Sequence, residues 1–89
     1  MLKQINIGSF AWEGVSNSRN LTSKAHRNGV SYHAVLIHPE GTNHHVLQVS
    51  DLVHDTQAIF QVIPFPYLEH AMGAADVVLS VKGFTPERS

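Results

Sequence analysis

The chain has no cysteine. That excludes disulfides, thiolate nucleophiles and cysteine-ligated zinc, and with them the small secreted disulfide scaffold. Charge is scarce too: Asp, Glu, Lys and Arg make up 15% of 89 residues, and the net charge is −1 with histidine neutral. Such a balance gives no bulk attraction to a polyanion. Disorder is disfavoured, because 43% of the residues are hydrophobic. No apolar run approaches the length of a membrane span, and MLKQINIGSF lacks the apolar segment of a secretory leader. Residues 1–89 are therefore expected to form one cytoplasmic domain that does not enter a membrane. Phosphate-binding glycine loops, HExxH and the Gly-x-Ser-x-Gly elbow are also missing.

What the chain does have is histidine, seven in all, four of them in residues 31–50, SYHAVLIHPEGTNHHVLQVS. The segments 30–38 and 44–49 are rich in β-formers, and Pro39-Glu40-Gly41 separates them. Proline presets φ for the second position of a turn, and glycine tolerates the left-handed conformation that follows. A three-residue loop of this kind pairs His38 with Thr42. It sets Leu36 against His44, Ala34 against Val46, Val35 against His45 and His33 against Leu47. One face then carries His33, Val35, Ile37, Asn43, His45, Leu47 and Val49, and its aliphatics mark it as the core side. The other carries Tyr32, Ala34, Leu36, His38, Thr42, His44, Val46 and Gln48.

The rest of the chain is read around this hairpin. Residues 3–12 alternate as a half-buried strand, with Gly8-Ser9 as a bulge that reverses the parity before Phe10 and Trp12. Residues 14–29, GVSNSRNLTSKAHRNG, read as a long polar loop. Residues 51–55 read as a helical turn and 57–63 as a strand. Pro66 to Ala75 reads as a helix, with Tyr67, Leu68, Ala71, Met72 and Ala75 as its apolar stripe and Glu69 at its N-terminal end. Residues 76–84 read as a closing strand and 85–89 as a frayed tail. The expected fold is α+β: a small antiparallel sheet of four to five strands, with one helix near 66–75 packed on one face. An all-β half-barrel is the alternative.

Three constellations carry candidate chemistry. His38 and His44 lie diagonally on one face of the proposed hairpin, with Cα atoms about 7–8 Å apart. Imidazoles so placed suit a zinc ion, although a stable site needs a third ligand. His44 and His45 point to opposite faces and do not chelate together. His33 and His45, on the apolar face, read as neutral core histidines. The second constellation is Arg19, Lys24 and Arg27, half of all Lys plus Arg, in a window free of acids between Glu13 and Glu40. This is an anion or nucleic-acid contact candidate. The third is Trp12, Phe65 and Tyr67, residue types that anchor interfaces or stack on ligands. His54-Asp55 is the one adjacent His-Asp pair and has no nucleophile motif beside it. These features favour a non-enzymatic interaction domain that self-associates through strand edges or an aromatic face, or that takes a protein partner. Small-ligand or metal binding by the hairpin histidines is the alternative reading, and anion or nucleic-acid contact through residues 19–27 is the next.

Overall fold

The computed structural model describes residues 4–6, 10–14 and 20–86. Among them, six antiparallel strands follow one another in chain order across an open sheet: β1 (Gln4–Asn6), β2 (Ala11–Gly14), β3 (Leu21–Arg27), β4 (Val30–Ile37), β5 (His45–Asp51) and β6 (Gln57–Ile63). One helix, α1 (Leu68–Val81), packs on one face, and β7 (Thr85–Pro86) pairs with the far end of β3. The class is α+β, and the sheet does not close into a barrel.

The first strand pair replaces the single bulged strand expected over 3–12. Ile5 lies opposite Trp12 in an antiparallel hairpin, and Gly8-Ser9 falls outside the described residues. The polar segment 14–29 is a loop only in part, because Leu21–Arg27 is strand β3. Its inward residues are Leu21, Ser23 and Ala25, all buried, but only one of them is large. The alternation was therefore weak as a hydrophobic signal. A two-residue turn joins β3 to β4, with Asn28 at φ 54° and Gly29 at φ 77°. Two positive φ values in succession define the hairpin turn whose twist matches its strands, and Asn-Gly is its favoured pair.

The next hairpin has a longer connection than expected. Leu36 faces Leu47, Ala34 faces Val49 and Ile37 faces Val46, so the register is displaced by three residues. The turn forms over residues 39–42, where the Thr42 amide donates to the Pro39 carbonyl at 3.3 Å and Gly41 has φ 75°. Pro39 takes the first turn position rather than the second, and residues 43 and 44 add further loop. An odd displacement exchanges the two faces of a strand pair. Tyr32, Ala34, Leu36, Leu47 and Val49 accordingly face the helix, and Val35, Ile37 and Val46 do not.

The helix also runs past its expected end. Ala71, Met72, Ala75 and Leu79 continue one buried stripe. Gly83, at φ 87°, stops it: Phe84 N–H donates to the Leu79 carbonyl at 2.9 Å and Gly83 N–H to the Ser80 carbonyl at 3.1 Å. This is the paired closure of a helix by a left-handed glycine. Residues 76–81, expected as strand, are its last turns, and Val77 and Val81 face outward. The tail expected to fray forms β7 as far as Pro86.

The core lies between α1 and the inner face of the sheet. It joins Phe10, Trp12, Leu21, Ala25, Ala34, Leu36, Leu47, Val49, Ile59 and Ile63 to the helix stripe and Phe84. A backbone-to-side-chain hydrogen bond ties the layers at one end, where Phe10 N–H donates to Asp76 Oδ1 at 3.0 Å. Among the described residues no helix is long and apolar enough to cross a membrane.

Candidate functional site

Two regions remain once the core is accounted for: a histidine-lined cleft at one end of the sheet, and the uncovered face and free edge at β6.

The cleft follows from the register. Continuing the β4–β5 pairing by one step sets His38 opposite His45, on the helix side. Their rings stack, with centroids 4.5 Å apart and planes inclined by 18°. Each ring is held by a backbone carbonyl. His45 Nδ1–H donates to the Phe65 carbonyl at 2.8 Å, and His38 Nε2–H donates to the Thr42 carbonyl at 2.9 Å. A carbonyl only accepts, so each bonded nitrogen carries the proton. In the neutral rings the lone pairs then sit on His45 Nε2 and His38 Nδ1. His45 is 2% exposed. Burial holds its ring below the ordinary histidine range; the Phe65 hydrogen bond opposes this, and the His38 and His44 rings add to it. The two histidines line an open cleft of about 410 Å³ together with Gly14, Asn20, Leu21, Pro66 and Leu68.

This geometry bears on the metal candidate. His38 pairs with His45, while His44 belongs to the loop and takes no part in the stack. An imidazole binds a metal ion in its own ring plane, and two nearly parallel planes do not meet at one ion. Among the described residues no three His, Asp or Glu side chains converge on a metal position. His33 is not His45's neighbour either: it faces Ser50 on the opposite side of the sheet.

The basic cluster is divided by the same parity. Lys24 is exposed on the outer face, whereas Arg27 lies on the helix side. The Arg27 guanidinium sits 4.3 Å from the Phe84 ring centroid and 5.4 Å from that of Tyr32, and it donates to the Lys82 carbonyl at 3.1 Å. It holds the helix terminus down. Arg19 falls outside the described residues.

The aromatic trio is separated too. Trp12 is wholly buried in the core, so it anchors no surface contact, and its Nε1 is the one buried side-chain polar atom without a partner among the described residues. Phe65 and Tyr67 are exposed on the link between β6 and α1, and both present edge-to-face contacts to His70. His54 pairs with Asp51 rather than Asp55, at 2.7 Å. Asp51 also accepts the amides of Val53 and His54, so it caps the 52–54 turn. These contacts, led by the His54 bond, hold its carboxyl below the usual aspartate range.

The second region was visible in the sequence only as a strand. β6, QAIFQVI, is the last strand of the sheet and contains no charged residue. Its Ile59 and Ile63 are buried against the helix, while Phe60 is 61% and Val62 50% exposed on the other face. Val62 continues a row through Val46 and Ile37, and Phe60 continues one through Gln48 and Val35. The apolar part of the outer face therefore lies on β4 to β6, against the free edge.

Set against known proteins, the chain matches no family model, no curated protein and no solved structure.

Proposed function

We propose that the chain is a non-enzymatic interaction domain that pairs with a second copy of itself along β6. The observation that carries this reading is the character of that edge. Sheet edges in monomeric proteins are commonly blunted by lysine, proline or inward-pointing charge, because unpaired strand amides and carbonyls invite another strand. β6 has none of these within Gln57–Ile63. Its length of about 23 Å offers a short ladder of backbone bonds. Exposed Phe60 and Val62 adjoin that ladder on the outer face.

A second copy is the occupant that fits. A two-fold antiparallel pairing centred on Gln61, within the regular stretch 59–63, sets Phe60 of each copy against Val62 of the other. Aromatic and aliphatic pairs of this kind stabilise a strand pair. Such pairing brings no like charges together, since the strand has none. Two-fold association needs one self-complementary patch, and an uncharged edge beside an apolar row is such a patch. Stable interfaces bury about 800 Å² on each partner. The neighbouring half-buried Ile37 and Val35 supply further apolar surface toward that area.

Light scattering of the full chain over a wide concentration range tests the proposal. A dimer is expected, and Phe60→Lys is expected to yield a folded monomer, since lysine on an edge strand opposes pairing. Val77→Lys, on the exposed side of α1, is expected to leave the dimer intact. A wild-type chain that stays monomeric at the highest concentration overturns the reading, as does a Phe60→Lys chain that remains dimeric.

A further inference from the structure

We infer that the cleft at the stacked histidines is a binding site for uncharged small molecules that combine an apolar body with one hydroxyl or N–H donor. This site is independent of β6 pairing.

The inference starts from the two ring nitrogens that no group among the described residues uses. His45 Nδ1 is committed to the Phe65 carbonyl and His38 Nε2 to the Thr42 carbonyl. Among the described residues nothing bonds to His45 Nε2, and the opening that the His45 ring borders is the cleft. His38 lines the same opening with its ring stacked on that of His45. Two acceptors thus belong to one recess, each on a ring whose orientation is fixed from its other nitrogen. A buried ring pinned in this way meets a ligand donor with little ordering left to do.

The walls select the rest of the ligand. Leu21, Pro66 and Leu68 are apolar, and about 410 Å³ falls within the usual size of small-molecule sites. Among the described residues no acidic side chain lines the cleft, so a cationic ligand would lose its hydration without an opposing charge. An anion would need a charged imidazole. Burial disfavours a charged His45, and protonating both stacked rings would set like charges one above the other. A neutral hydroxyl or N–H donor meets neither penalty.

Phenol is the probe, with toluene and benzoate as comparators of similar size. Nitrogen-15 NMR of the histidine rings in the full wild-type chain reports on Nε2 of His45 directly. Phenol is expected to move that resonance and to bind about tenfold more tightly than toluene, the worth of one hydrogen bond. His45→Phe keeps a stacked ring and removes the Nε2 acceptor, and is expected to bring phenol binding down to that of toluene while leaving toluene binding unchanged. Equal binding of phenol and toluene would reduce the cleft to an apolar recess and overturn the inference. Benzoate binding most tightly, with affinity rising as pH falls, would overturn it in favour of an imidazolium site. An unmoved His45 Nε2 resonance at saturating phenol would also overturn it.

Discussion

The two faces of this sheet are made by the same strands and have opposite fates. On the inner side Leu36, Leu47, Val49, Ile59 and Ile63 disappear beneath α1. On the outer side Val35, Ile37, Phe60 and Val62 have comparable hydrophobicity and stay partly or largely exposed, with Val46 alone among their neighbours closed over at 8% exposure. Composition alone does not separate these sets. A strand buried on one face alternates apolar with polar, whereas β4 carries Val35 and Ile37 on its outer face as well. The apolar outer residues lie on the β4 to β6 side, and Glu13, Thr22 and Lys24 occupy the β2–β3 side. The contrast teaches that one face is committed to folding and the other, toward the free edge, is available for contact.

The largest expected effect tests that division. Leu47→Ala removes a wholly buried side chain from the inner face and is expected to cost about 2–5 kcal/mol in chemical denaturation. Val62→Ala, one strand away on the outer face and 50% exposed, is expected to change the stability of the separated chain by no more than about 0.5 kcal/mol. It is expected to weaken self-association instead. If both substitutions cost the same in a monomer, something covers the outer face within the chain itself and the comparison fails.

How much of this was legible depends on which interaction sets each feature. The strand Gln57–Ile63 was readable to its ends, because β-prone residues stop at Pro64. The α+β class and the site of the helix followed from the Leu68, Ala71, Met72 and Ala75 stripe. Strand β3 was hidden because Ser23 and Ala25 fill inward positions with little apolar area, although Asn28-Gly29 marked its turn. The helix end was missed because Val77, Val78 and Val81 suggest a strand, while Gly83 supplies the stop. The hairpin register turned on the length of the connection, where Pro39 takes the first turn position and residues 43 and 44 extend the loop. That length moved His38 from beside His44 to a stack on His45, so the cleft was out of reach of spacing arguments. His45 as a buried histidine was legible. Its partner was not, because loop length sets it.

Acidification provides a second test, with a histidine on each face. His45 is held below the ordinary histidine value of about 6.5 by burial. The unfolded chain therefore binds a proton that the folded chain resists, and stability falls as pH drops through about 6.5 toward the lowered value. Below that value the His45 contribution is spent. Asp51 acts in a separate window: its depressed carboxyl stabilises the fold above about pH 3.9 and loses that contribution as pH falls through its folded value. Urea midpoints between pH 7.5 and 5 are expected to decline in the wild type and in His33→Gln. His45→Gln removes the ring whose protonation burial opposes and is expected to flatten the decline. An unchanged slope in His45→Gln would place the acid sensitivity outside the stack.

The smallest expected effect concerns two cations that the sheet sorts to opposite sides. Arg27, on the helix side, lies over Phe84 and donates to the Lys82 carbonyl just beyond the helix. A cation over an aromatic face and a hydrogen bond to an exposed carbonyl each contribute about 0.5–1 kcal/mol. Arg27→Ala is expected to lose about 1–2 kcal/mol on that basis, part of it through lost packing of the side-chain stem. Arg27→Lys keeps the charge but not the planar group that rests on the ring, and is expected to recover less than half of the loss. Lys24→Ala, on the outer face and exposed, is expected to stay within about 0.5 kcal/mol of the wild type. Thermal denaturation of the three variants decides the matter. An equal, negligible effect at both positions would mean that Arg27 is a solvated cation, available for the anion contact that its packing against Phe84 argues against.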